Sequence, residues 1–322
     1  VSLRSLISIY IVVSFGLALI LDLILYNSLM TGGPYNPQNA LMSSLAAMVW
    51  GLLRMYAPTA ATALCLHLEG RSIRESIKRY VNFSRRTIKH FLLTPLIVYL
   101  AFGIFLLLSA VLGVLSIEKF VRIAVKESGG LINEDFARIL LIAQLIVGYP
   151  AAITINSIYA LGEEIGWRGY LFDLMGRKDD LRSTVVIGFI WGLWHSTAIV
   201  LLGHNYPSIR AAGIPLFTIL CIVFTAPMLR LTAISSSILP AVSLHGAINA
   251  IWGITLFVAF PSEMPPTPLN EIYGGLGLIG IFSWLITAAI VLLATKKRWT
   301  ENIHQDFYIT SFFKEGWKAS RN

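Results

Sequence analysis

Apolar runs of about twenty residues follow one another along most of this chain, and a run of that length crosses the hydrocarbon core of a bilayer as a helix. They cover Leu6–Met30, Leu41–Leu66, Phe91–Ser116, Arg138 onward, Val185–Leu202, Ile214–Leu231, Ile234–Phe260 and Tyr273–Thr295. No run shows the alternation of a membrane barrel, and each is long enough to satisfy its own backbone, so helices rather than strands are required. The expected fold class is all-α: a polytopic membrane bundle of about eight transmembrane helices. Charged residues make up 13% and hydrophobic ones 56% of the 322 residues, against about 25% charged in soluble domains. That balance excludes an ordinary water-soluble enzyme and equally a disordered chain. Leu6–Met30 is too long for a cleavable signal and reads as a retained helix. Cys65 and Cys221 lie in apolar company with no disulfide or metal spacing, and read as small buried side chains.

The net charge of +8 is placed between the apolar runs, where it sets orientation rather than binding nucleic acid. With the N-terminus in the cytoplasm, the inner side receives Arg4, a basic stretch from Arg71 to Lys89, Arg177, Lys178, Arg182, Arg230 and Lys296-Lys297-Arg298. The outer side receives only Lys119, Arg122, Lys126 and Arg210, with Arg138 at a helix start. Both termini are therefore expected in the cytoplasm, and the protein in the cell membrane as a multi-pass chain. Residues 1–137 form N-terminal helices with a basic segment at 70–90, either an amphipathic helix on the anionic inner leaflet or a topology anchor. Residues 138–260 form the core, 261–299 an outer loop and the last span, and 300–322 a cytoplasmic tail. No internal repeat supports the inverted-repeat plan of many transporters.

Ionisable groups inside apolar spans are costly, so each needs a partner or a function. Asp22 and Arg54, on the first two helices, are expected to pair; a part in the active site is the other reading. Glu163 and Glu164 are solvated if their span ends near Leu161. They are buried if it bends near Gly148-Tyr149-Pro150 and continues to Met175, and the apolar residues after Arg168 favour this second reading. Counted from helix starts near Ser183 and Ala233, His195 and His245 then share a depth of about 18 Å with the acidic pair. His245 and Asn249 are four apart and face one way, and Glu164 can pair with Arg168 along its own helix. Glu163, rotated by about 100°, is left to face another neighbour. His67 and His204 sit near span ends and read as interfacial, while His90 and His304 read as solvated.

A buried carboxylate beside imidazoles suits a general base acting on water, and a histidine with an amide can donate hydrogen bonds to an oxyanion. The set fits hydrolysis of a carbonyl compound without a serine or cysteine nucleophile.

Glu163-Glu164-x-x-x-Arg168, Trp191-x-x-x-His195 and His245-x-x-x-Asn249 resemble the EExxxR, FxxxH and HxxxN motifs of the CPBP-family intramembrane proteases, a family similar to the type II CAAX prenyl endopeptidases (Rce1-like) and the bacteriocin self-immunity proteins. The resemblance covers about Arg138 to Phe260. It implies an eight-helix membrane bundle open to the cytoplasm, with Glu163 activating water, His195 assisting, and His245 and Asn249 holding the oxyanion. Glu164 and Arg168 would keep the helix geometry, and Trp191, in place of phenylalanine, would serve as an aromatic wall. It further implies an intramembrane endopeptidase acting on a prenylated or membrane-associated peptide, with membrane lipids as surroundings. Glu163, His195 and His245 could supply three ligands to a divalent metal such as zinc, with water as the fourth. No HExxH helix is present, and a glutamate-activated water needs no ion, which favours the metal-independent route. A non-proteolytic immunity or scaffold protein, and a transporter using the buried charges as an ion relay, are the competing functions.

Overall fold

A computed structural model describes residues 2–30, 40–260 and 267–296, and its described secondary structure is helical apart from one isolated bridge between Leu115 and Ala259. In chain order the elements are α1 (Leu3–Met30), α2 (Ala40–Met55), α3 (Ala57–Leu68), α4 (Ile73–Tyr80), α5 (Arg85–Leu93), α6 (Pro95–Val111), α7 (Ile117–Glu127), α8 (Glu134–Ile153) and α9 (Ile155–Glu164). α9 runs on through a π-helical stretch, Ile165–Leu171, into the short α10 (Phe172–Leu174). Then follow α11 (Leu181–Trp194), α12 (Ser196–Leu202), α13 (Gly213–Ser235), α14 (Leu239–Ile251) with a tighter last turn at Trp252–Leu256, α15 (Pro268–Tyr273) and α16 (278–296).

Seven described helical stretches are long and apolar enough to cross a membrane: Leu3–Met30, Arg85–Val111, Glu134–Ile153, Leu181–Leu202, Arg210–Ser235, Leu239–Leu256 and Pro268–Lys296. This is a multi-pass membrane protein. The eighth expected run, Leu41–Leu66, is present as α2 and α3, but a break at Tyr56 leaves neither piece long enough to count as a span. Pro58 opens α3, where its missing N–H costs no helical bond. Gly162 packs into the same break, where a Cβ would stand 2.7 Å from the Met55 carbonyl.

The bundle has two distinct ends. At one lie the start of α1, the end of α3, α4, the α10–α11 turn and the α13–α14 turn, and the basic residues 71–89 gather there. Cross-links tie it together: Arg71 meets Asp173 at 3.0 Å, and the Ile238 N–H donates to the Tyr80 carbonyl. At the other end, the Glu271 carboxylate accepts from the backbone N–H groups of Ser208 and Ile209, and the Tyr206 hydroxyl donates to the Leu276 carbonyl.

The basic segment forms two short helices rather than one. Ser72 caps α4 by accepting from the Glu75 N–H, and Ser84 caps α5 by accepting from the Thr87 N–H. α5 passes through Thr94 into α6, so its last turns already belong to a span. Residues 297–322, including His304 and the aromatic tail, lie outside the described residues, as does 261–266 of the outer loop.

α13 continues to Ser235, and α14 begins at Leu239 after a left-handed Ser236, not near Ala233. His245 thus sits only two turns into its helix, so the count of twelve residues from Ala233 does not apply. Packing, not register, brings it to the site.

α11 and α13 approach most closely at Gly188 and Gly192, where a Cβ would fall 2.4 Å from the Ile222 Cα and 2.5 Å from the Thr218 Cα. Small residues four apart let two membrane helices touch along their backbones. Gly188→Leu is expected to lower stability by about 1–3 kcal/mol, the usual cost of overpacking, because backbone cannot move aside. An unchanged thermal unfolding midpoint in detergent would contradict this contact.

Candidate active site

The acidic pair owes its position to a break in its helix. Pro150 lies inside α8, and at Thr154 the chain leaves helical geometry (φ −118°, ψ −98°). Side chains then take up carbonyls that the helix abandons. The Thr154 hydroxyl donates to Pro150 O at 2.6 Å, and the Ser157 hydroxyl to Ala152 O at 2.7 Å. The bend therefore falls four residues beyond Pro150, and the helix continues to Leu174, as the buried reading of Glu163 and Glu164 requires. Gly246 of α14 docks at this bend, since a Cβ there would lie 2.4 Å from Ala152 O. The neighbouring His245 is carried against Glu164 by the same contact.

Glu163 and Glu164 are both buried, at 2% and 0% exposure. The Glu164 Oε1 accepts from Arg168 Nη1 at 2.9 Å and from His245 Nδ1 at 2.8 Å. Arg168, itself fully buried, donates through Nη2 to the Thr225 hydroxyl at 3.0 Å, and its guanidinium carbon lies 4.2 Å from the Trp191 ring centroid. Glu163 turns the other way, as its rotation on the helix predicts. Its Oε2 accepts from two indole N–H groups, Trp191 at 2.6 Å and Trp167 at 3.3 Å. Trp191 is more than an aromatic wall. It meets the His245 and His195 rings edge-on, with centroids at 5.3 and 6.0 Å, and joins both to Glu163.

His195 ends α11. Its Nδ1 lies 2.9 Å from the Trp191 carbonyl, which can only accept, so Nδ1 carries a proton and Nε2 is left for another partner. Rings of Trp194 and Phe217 pack edge-on against it at 4.8 and 4.7 Å.

One cavity of about 350 Å³ is lined by Glu163, His195, His245 and Asn249 together, along with Trp191. The four groups named from the sequence thus share a single hollow, while Glu164 and Arg168 stand behind its wall. Asn249 is exposed to that hollow one turn beyond His245.

Asp22 and Arg54 do pair, Nε to Oδ1 at 2.8 Å, and Trp50 Nε1 and the Thr197 hydroxyl also donate to the carboxylate. Arg54 in addition donates to the Trp194 carbonyl at 3.0 Å, covers the Trp194 ring at 3.9 Å and lines the cavity, so it braces the end of α11 beside His195. Sequence reasoning missed two contributors. Trp167, one helical turn after Glu163, was legible from its spacing. His204 was not: read as interfacial, it is exposed just past the end of its span and also lines the cavity beside Trp50, ring centroids 6.0 Å apart.

The cavity has a direction along the bundle. Its lining runs to His204, Asn205 and Leu276, which belong to the end opposite the basic one. Towards the basic end Tyr10, Tyr80, Trp167, Tyr170 and Phe172 are all fully buried, and a second hollow lies there, lined by Lys78, Phe83, Leu161 and Ile165 among others.

As placed, Glu163, His195 and His245 do not close into a ligand set. Among the described residues no three His, Cys, Asp or Glu side chains group tightly enough to hold a metal ion. Their Oε2, Nδ1 and Nδ1 atoms are taken by indoles, a carbonyl and Glu164, which leaves Glu163 Oε1 and the two Nε2 atoms as the remaining donors.

Fold and site together define a multi-pass helical membrane protein built around a buried acid–imidazole cavity. Residues 136–251, about a third of the chain, match the family model of the type II CAAX prenyl endopeptidases, Rce1-like. The matched stretch holds every one of the motif residues from Glu163 to Asn249. No match was found among curated proteins or among solved structures.

Proposed function

We propose that the chain is an intramembrane endopeptidase that hydrolyses a peptide bond of a membrane-associated peptide through a water activated by Glu163. The observation that carries the reading is the asymmetry of Glu163: two indoles fix Oε2, while Oε1 accepts no hydrogen bond from a described residue and the side chain lines the cavity. A base fixed by one oxygen and free at the other is oriented before substrate arrives.

Water held between Glu163 Oε1 and His195 Nε2 attacks the carbonyl carbon, and Oε1 takes the proton. The carbonyl electrons move onto oxygen. His245, its Nδ1 anchored on Glu164, presents Nε2 to that oxygen, and as an imidazolium it donates there beside the Asn249 amide. The tetrahedral centre then collapses, the C–N bond breaks, and Glu163 returns its proton to the leaving nitrogen. The products are one carboxylic acid and one amine. Arg168 offsets the charge of Glu164, and an imidazolium at His245 would balance that of Glu163.

The test is purified protein in detergent with fluorogenic peptides, prenylated and unprenylated. His245→Ala and Asn249→Ala are expected to lower kcat by about 10²-fold each, the order reported for losing one oxyanion donor. Cleavage by wild-type protein that neither substitution changes would remove the site assignment, and no cleavage of any peptide would remove the enzyme reading.

A further inference from the structure

We infer that the hollow at the basic end seats one acyl chain of an anionic phospholipid, with the lipid phosphate held at Lys78 and Asn82. This hollow, of about 480 Å³, lies between α9 and the turn that joins α4 to α5, and it shares no lining residue with the acid–imidazole cavity. Its wall is apolar, with Ile77 and Val81 on one side and Leu161 and Ile165 on the other. On α9 and its continuation the last two end a longer row. Ile155 and Ile158, 61% and 58% exposed, precede a half-buried Leu161 and a buried Ile165. Spacings of three, three and four put them on one helix face. The row therefore faces lipid at its start and enters the hollow at its end. Its ten residues rise about 15 Å, half of the ~30 Å hydrocarbon core, which is the reach of a chain from one leaflet.

Charge decides which lipid fits. Lys78 and Asn82 line the hollow and are exposed, beside an exposed Phe83. Glu75 meets Lys78 at 3.5 Å, but both side chains are more than half exposed, so water weakens the pair and a phosphate can displace it. Arg71 and Arg79 are committed to Asp173. Arg74, one turn before Lys78, and Arg85 and Arg86, just past Phe83, are exposed and form no ion pair with a described residue. An ammonium and an amide can donate to phosphate oxygens, and the unpaired guanidinium groups add to the same field. A free phosphate would meet this charge and leave the apolar wall empty. A zwitterionic lipid would bring its own cation to a basic rim. An anionic phospholipid satisfies both halves of the site.

The test is native mass spectrometry of the full-length chain in detergent, titrated with phosphatidylglycerol or with phosphatidylcholine of the same acyl chains. One phosphatidylglycerol is expected to be retained, at least tenfold more tightly than phosphatidylcholine. Lys78→Gln is expected to weaken it about fivefold, the factor for one basic residue at an anionic surface. Lys126→Gln, exposed on α7, is expected to leave it unchanged. A phosphatidylglycerol with a photoreactive group at its chain end is expected to label α9 between Ile155 and Leu161. Val81→Trp, which fills the hollow, is expected to abolish that label; should it not fold, the exposed Asn82→Trp carries the same arm. Equal retention of the two lipids, or label spread over the lipid-facing helices without preference for α9, overturns the inference. Displacement of the lipid by inorganic phosphate alone overturns it too, since the chain would then contribute nothing. Displacement by an equal concentration of a prenylated peptide would assign the hollow to that peptide instead.

Discussion

Glu163→Gln is expected to lower peptide cleavage by about 10³-fold, within the range lost with a general base, and to leave the thermal unfolding midpoint near that of the unaltered protein. The reason for pairing these two outcomes is structural. The glutamine carbonyl can still accept from Trp191 and Trp167, which now bond to Oε2 at 2.6 and 3.3 Å, so the side chain keeps its place. What it loses is the oxygen that takes a proton from water. Single-turnover cleavage of a fluorogenic peptide measures the first outcome and unfolding in detergent the second. Retention of more than about a tenth of the activity would mean that another group activates the water, because an amide cannot act as a base.

Asp22→Ala is expected to cost about 3–5 kcal/mol of stability, as breaking a buried ion pair from one side does. Arg54 would keep its charge at 4% exposure with no carboxylate, and Trp50 Nε1 and the Thr197 hydroxyl would lose their acceptor. Activity should fall with it, because Arg54 also holds the Trp194 carbonyl at the end of α11, next to His195. The double substitution Asp22→Leu, Arg54→Met is expected to recover most of the stability and not the activity, since it removes both charges but also the brace. Thermal unfolding in detergent, read beside kcat, separates the two effects. A single variant as stable as the parent would show that the pair contributes nothing.

The spans and the buried ionisable residues that share the cavity were legible because bilayer thickness imposes a length on apolar runs and because a buried charge stands out among leucines. Glu164–Arg168 was legible from its i, i+4 spacing, and the pairing of Asp22 with Arg54 from their isolation. The start of α14 was not, because Ile234 to Leu239 is apolar throughout and the left-handed Ser236 that ends α13 carries no signal in hydropathy. Pro150 pointed to a bend without fixing its place: its missing N–H frees the carbonyl one turn earlier, at Ile146, whereas the chain leaves helical geometry at Thr154. The extent of the cavity was invisible for a different reason: its lining joins Trp50, His204, Phe217 and Leu276, and residues so far apart along the chain reveal their meeting only when folded.

Every group placed at the chemistry hangs on a membrane-crossing helix or its direct continuation: Glu163 on α9, His195 at the close of α11, His245 and Asn249 on α14. None depends on the segments joining them. The connecting loops at the rim are thus at liberty to diverge in length and composition, retuning which peptides are admitted, while the reacting atoms keep their mutual distances.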